Sequence, residues 1–226
     1  MKAPIAELKK KDLIWLGQHK CRHSHSFLEH YDCYLTENPP KDKIGFLDIE
    51  ASNLKATFGI IYTYAIKELD GKLYKGSVTI KDLRNAEYDK NLLKQLIDDL
   101  QHFSRVIGHY FTDFRYDLPF IRTRAVKWGL DFPEYKFMSA NDTYSVLKAK
   151  FKLHSNRLQT ACEFFDIPAK AHKLNPDIWL SMITGNPKLM KQALDYIMTH
   201  NIEDVISTEA LWKKISRYSG LGMRSL

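Results

Sequence analysis

Hydrophobic and polar positions change their period several times along this chain, and each change predicts an element. The first forty residues hold no clear period: a histidine-rich stretch runs to ENPPKDK, whose two prolines and four charges mark a boundary near residue 40. Beyond it IGFLDIE, TFGIIYTYAIKE and KLYKGSVTI read as β-rich runs. The last two join through LDGK, whose Asp-Gly pair suits the positive φ angles of a tight hairpin. In AEYDKNLLKQLIDDLQHF the residues Leu92, Leu93, Leu96, Ile97 and Leu100 recur at helical spacing, and RVIGHY follows as a short buried strand. From about Leu118 the pattern turns helical, through PFIRTRAVKWGL, RLQTACEFF and PDIWLSMI to a pair of helices, PKLMKQALDYIMTH and NIEDVISTEALWKKI. Three β-runs, a helix, a further strand and then helices predict an α/β fold: a mixed sheet with helices packed on its faces. The expected division is a small segment over residues 1–40 and one domain over residues 41–226.

Composition narrows the class. With 226 residues and 44% hydrophobic content, the chain can bury one good core with a small appendage. Lysine and arginine outnumber acidic residues 34 to 27, a surplus that suits a polyanionic partner such as nucleic acid. No apolar run approaches the roughly 18 residues of a membrane span, and MKAPIAELKKKDLIWLGQHK lacks the hydrophobic middle of a signal peptide. The expectation is an intracellular, cytoplasmic protein with no membrane partner; the sequence leaves oligomeric state open. Three cysteines, odd in number and unevenly placed, argue against a disulfide framework, and Cys162 in TACEFF reads as a small buried hydrophobe.

Against that apolar background, the carboxylates stand out. In IGFLDIE, Asp48 and Glu50 are two apart, so strand alternation points both to one sheet face while Ile49 points to the other. Burying unpaired carboxylates is costly, so two of them side by side either mark an exposed strand end or invite a cation. Asp117 in RYDLPFIRTRA follows a strand and opens a helix, and Asp204 in HNIEDV lies in a helix with apolar neighbours. Oxygen donors from separate elements suit hard cations such as magnesium or manganese.

At these residues the chain resembles the DEDD superfamily of 3′-to-5′ exonucleases, named for four carboxylates on a ribonuclease H-like fold. The resemblance spans roughly Lys43 to Ile215: a DxE motif at Asp48 and Glu50, a second motif in GHYFTDFRYDLPFIRTRA with Asp117, and a third in HNIEDV with Asp204. It implies a two-metal-ion phosphodiester hydrolase using magnesium or manganese on DNA or RNA, single-stranded or with a free 3′ end. It also implies catalytic roles for Asp48, Glu50, Asp117, His200 and Asp204. Two departures stand in the motifs. The residue four before Asp204 is His200, where one branch of the superfamily has tyrosine; it reads either as a base or as a histidine hydrogen-bonded near a helix start. Thr112 and Asp113 stand where many relatives carry asparagine. Asp142 in ANDTYSVL reads as an outer ligand or as a helix N-cap. Arg115, Arg122, Arg124 and Lys173 are candidates for anchoring phosphate. The alternative to an enzyme is a nuclease-like module that binds nucleic acid without cutting it, and a hydrolase of small phosphates is a third reading.

The first segment carries a different donor set. HKCRHSHSFLEHYDCY collects Cys21, His23, His25, His30 and Cys33, and thiolate with imidazole is what zinc prefers. His30 and Cys33 have good chelate spacing. The CxH pair is tighter than usual, so Cys21, His23 or His25, His30 and Cys33 is one of several tetrads for a structural zinc, against a metal-free segment that packs as it is.

Overall fold

The computed structural model describes residues 9–37, 43–133, 138–168 and 175–219. The chain divides into two compact units, Met1–Asp42 and Lys43–Leu226. In the first, helices α1 (Lys10–Gln18) and α2 (Tyr31–Glu37) flank a single bridge between Lys20 and Ser26. Among the described residues its core is Leu16, Cys21 and Phe27, with Tyr31, Cys33 and Tyr34 packed against them.

The second unit is built on five strands: β1 (Ile44–Ala51), β2 (Ile61–Glu68), β3 (Leu73–Ser77), β4 (Arg105–Gly108) and β5 (Ser139–Asp142), in the order β3-β2-β1-β4-β5. β1 and β2 are antiparallel, as are β2 and β3; β4 runs parallel to both β1 and β5. The hairpin between β2 and β3 turns at Asp70, whose φ of 53° is the positive angle expected of the Asp-Gly pair. Between the later strands lie α3 (Ile80–Arg84), α4 (Lys90–Leu100) and α5 (Asp117–Lys127). After β5 come α6 (Thr143–Lys150), α7 (Leu158–Phe164), α8 (Pro176–Ser181) and α9 (Pro187–Ile215). No helix among the described residues is long and apolar enough to cross a membrane.

Strand alternation on β1 decides which helices cover which face. Leu47 and Ile49 point into the main core with Leu93 and Leu96 of α4 and Phe120 and Ile121 of α5. Phe46 points the other way, into a cluster with Val205 and Trp212 of α9. Asp48 and Glu50 share the α9 face. Gly108 ends β4, where a Cβ would lie 2.3 Å from that of Phe111, so only glycine lets the chain turn so closely there.

Two expectations need correction. The polar run SAND forms a fifth strand, although the chain from Leu118 onward reads as helical: β5 is four residues long and its ladder partner is β4. The two final helices are one helix of 29 residues: no glycine or further proline follows Pro187 within it, and His200 and Asn201 at the expected junction are both buried. As expected, Cys162 is buried among Leu147, Leu158 and Ile167.

Candidate active site

Three elements converge at the end of β1. Asp48 and Glu50 project toward α9, opposite Ala65 and Thr63 of β2, and the register shifts just after Glu50 in a bulge. α9 presents His200, Asn201 and Asp204 to them. His200 and Asp204 are four apart and share a helix face. The Nε2 of His200 lies 3.5 Å from Asp204 Oδ2 and 3.8 Å from Glu50 Oε1. One donor atom from each of Glu50, His200 and Asp204 falls within 4.8 Å of the others, close enough to share a metal ion.

Asp117 opens α5 and is 3% exposed. Its carboxylate accepts the backbone N–H of Ile49, the residue between Asp48 and Glu50, which ties the helix directly to β1. The last pairing of β1 with β4 is Phe46 with Ile107, so Asp117 meets the β1 backbone beyond the end of β4. Burial, then the charges of Asp48 and Glu50, push its pKa well above the usual carboxylate range. The neighbouring Tyr116 hydroxyl is pushed up too, by burial and then by Asp117, Glu50 and Asp48. All four predicted carboxylates thus belong to one neighbourhood: Asp117 couples to Asp48 and Glu50, and Glu50 adjoins Asp204.

His200 lies well inside the continuous α9, so a role near a helix start does not apply. Asn201 was missed in the sequence, where an asparagine after histidine reads as an interhelical junction. It is fully buried; its Nδ2 donates to Asp48 Oδ2 at 2.5 Å, and its Oδ1 accepts from Thr63 Oγ1 at 3.5 Å. An uninterrupted helical period through the junction was the available signal.

Other candidates fall elsewhere. Asp142 N-caps α6, accepting from the Tyr144 backbone at 3.0 Å and Ser145 Oγ at 3.1 Å, and also from the Tyr110 backbone at 2.9 Å. Thr112 Oγ1 lies at 3.4 Å as well, and the contacts of Asp142 are those of the cap reading. Arg124 is a correction: it is 2% exposed and grips Asp89 through Nε at 2.8 Å and Nη2 at 2.6 Å, so it serves the core and cannot anchor a phosphate. Arg122 pairs with Asp113 at 2.7 Å, and Arg115 lies over the rings of Tyr110 and Tyr144. Lys173 lies outside the described residues. In the first unit, Cys21, His23, His30 and Cys33 come together, and His25 stays outside the group.

Comparison with known proteins places this geometry. The family model described as RNase_H superfamily matches residues 45–216, three-quarters of the chain and every carboxylate above. The chain belongs to the ribonuclease H superfamily. Among solved structures, the family B DNA polymerase from the hyperthermophilic archaeon Pyrobaculum calidifontis is similar in fold, with a TM-score of 0.60 at 18% identity. That likeness covers 79% of this chain and 25% of the polymerase, so the chain spans about a quarter of that protein. Curated proteins give no match.

Proposed function

We propose that this ribonuclease H-like chain is a two-metal-ion nuclease that removes nucleotides from the 3′ end of DNA or RNA. The observation that carries the reading is the gathering of four carboxylates from one strand and two helices: Glu50 and Asp204 beside His200, and Asp117 against Asp48 and Glu50. Carboxylate oxygens from separate elements are the donor set of magnesium or manganese, and Asp117, its pKa raised by burial and then by the charges of Asp48 and Glu50, is a carboxylate whose ionised form a divalent cation would favour. When bound, such cations lower the pKa of water and stabilise charge on the leaving 3′ oxygen. Asp48, Glu50, Asp117 and Asp204 are the residues to hold them.

The remaining side chains position these four. Asn201, itself held by Thr63, fixes one oxygen of Asp48 and so leaves the other directed at the site. His200, with Nε2 among the carboxylates, is placed to orient the attacking water or accept its proton. Phe58 and Phe114, 82% and 97% exposed in the loops after β1 and before α5, offer faces on which unpaired bases stack.

A time course on 5′-labelled single- and double-stranded DNA and RNA, with magnesium or manganese, tests the reading. The expected product is a ladder shortening from the 3′ end, strongest on single strands. Internal fragments would overturn the direction, and a mobility shift without a ladder would reduce the chain to a binding module. Faster turnover of mononucleotide esters than of oligonucleotides would move the substrate class to small phosphates.

A further inference from the structure

The donor set in the first unit is independent of the nuclease site. Cys21, His23, His30 and Cys33 place one atom each within 4.8 Å of all the others. The contacts alternate sulfur and nitrogen: Cys33 Sγ to His23 Nδ1 at 3.4 Å and to His30 Nδ1 at 3.8 Å, and Cys21 Sγ to each Nδ1 at 3.9 Å. A tetrahedral zinc with bonds of about 2.3 Å to sulfur and 2.05 Å to nitrogen requires sulfur and nitrogen about 3.6 Å apart, in the middle of the observed range.

Hydrogen bonding alone does not account for this ring. Each thiol has one proton to give, and each Nδ1 has either one lone pair or one N–H, so at most two of the four contacts can be ordinary two-centre hydrogen bonds. One cation at the centre takes a lone pair from all four.

The local backbone is shaped for the purpose. Between Cys21 and His23 the CxH spacing works because the chain doubles back at once. Ser24 N–H donates to Cys21 O at 2.9 Å with Ser24 at a φ of 67°, and Cys21 N–H donates to His25 O at 2.9 Å. The second pair rides on the approach to α2. Ser26 and Glu29 cap each other reciprocally, Ser26 N to Glu29 Oε2 at 3.0 Å and Glu29 N to Ser26 Oγ at 3.2 Å, and this turn delivers His30. Cys33 N–H then donates to His30 O at 3.0 Å, which closes the HxxC pair on one side. His25 packs its ring 4.2 Å from that of His30 and supports the ligand from outside.

We infer that Cys21 Sγ, His23 Nδ1, His30 Nδ1 and Cys33 Sγ form a closed structural zinc site. Binding deprotonates both thiols and releases two protons. The two thiolates then balance the dication, and the neutral imidazoles bind through Nδ1 with Nε2–H directed outward. A unit whose core among the described residues is Leu16, Cys21 and Phe27 gains stability from a metal.

The test uses the full chain, dialysed against a weak chelator, with zinc measured by elemental analysis in wild type and variants. One zinc per chain is expected, kept in His25→Ala and in Asp204→Asn, and lost in the Cys21→Ser, Cys33→Ser double variant. Cobalt exchanged into the wild type should show tetrahedral d–d bands and a sulfur-to-metal charge-transfer band. Glu50, His200 and Asp204 offer no sulfur, so that band reports the Cys/His tetrad even if the double variant fails to fold. Wild type without zinc and without the charge-transfer band would overturn the inference, as would zinc that leaves with Asp204→Asn. Neither result bears on cleavage.

Discussion

Asp89 and Asp117 are both almost wholly removed from water, 0% and 3% exposed, and stand in opposite electrical surroundings. Asp89 receives Arg124 through two nitrogens, Trp128 Nε1 at 2.9 Å and the Ile61 backbone at 3.0 Å. Its negative charge is matched where it lies, and its job is to join α4, α5 and the start of β2. Asp117 receives backbone N–H groups but faces Asp48 and Glu50, and its burial, with those two charges added, makes its proton hard to remove. A buried carboxylate with its cation built into the chain is structure; one placed against further carboxylates has its balancing charge still to come from solution.

The sharpest way to break this contrast is to remove a carboxylate from the second group. Asp48→Ala should abolish cleavage with either magnesium or manganese while the chain still folds, because relief of charge repulsion offsets the hydrogen bond lost from Asn201. A folded variant that cuts at a near-normal rate would move the active site elsewhere. Next in size is His200→Ala, expected to slow turnover by about 10²- to 10⁴-fold with little change in KM, as loss of a general base does. Metal-bound water can mimic its acid-side limb in a pH profile; a limb that shifts between magnesium and manganese belongs to the water, and one that vanishes only in His200→Ala belongs to the imidazole.

The opposite outcome is expected on the Asp89 side. Arg124→Ala leaves a buried charge alone, which costs about 3–5 kcal/mol in denaturant unfolding, while activity per folded molecule is retained. If Arg124→Ala lost substrate affinity at unchanged stability, a phosphate-anchoring role for Arg124 would have to be restored.

The two regions were unequally legible in the sequence. Asp48 and Glu50 are conspicuous because a period of two is strict, and a pair of charges on an apolar strand violates the pattern in plain view. Arg124 and Asp89 lie 35 positions apart, and nothing local in RTRAVKW distinguishes the arginine that turns inward from Arg122, which pairs with Asp113 at the surface. Asn201 was hidden by its own chemistry: asparagine favours caps and junctions, and only the tertiary position of α9 against β1 makes it a partner of Asp48. β5 was hidden for a related reason, since SAND has weak β-propensity and is strand only because β4 supplies the ladder.

The smallest effect expected is also the most specific to the carboxylate group, and it concerns Asp117→Asn. The amide oxygen can still accept the Ile49 N–H, and the new NH₂ can donate to Asp48 or Glu50, so the substitution removes charge and little else. A carboxyl whose pKa is raised on folding binds its proton more tightly in the folded state. Its stabilising contribution is complete below the unfolded value, near 3.8, and is lost as pH rises through the folded pKa. Metal-free wild type should therefore lose stability relative to Asp117→Asn as pH climbs from about 4 to neutrality. At neutral pH the variant should melt several degrees higher, since a chain of this size gains roughly 2–4 °C per kcal/mol. Other carboxylates titrate in the same interval, which is why the difference between the two proteins is measured and not the slope of either. Magnesium or manganese should narrow that difference by stabilising wild type more than the variant, because ligands that bind only the folded state raise its stability by mass action. If Asp117→Asn melted below the wild type without metal at neutral pH, the charge crowding assigned to this carboxylate would be wrong. If metal raised both melting temperatures equally, Asp117 would hold no cation.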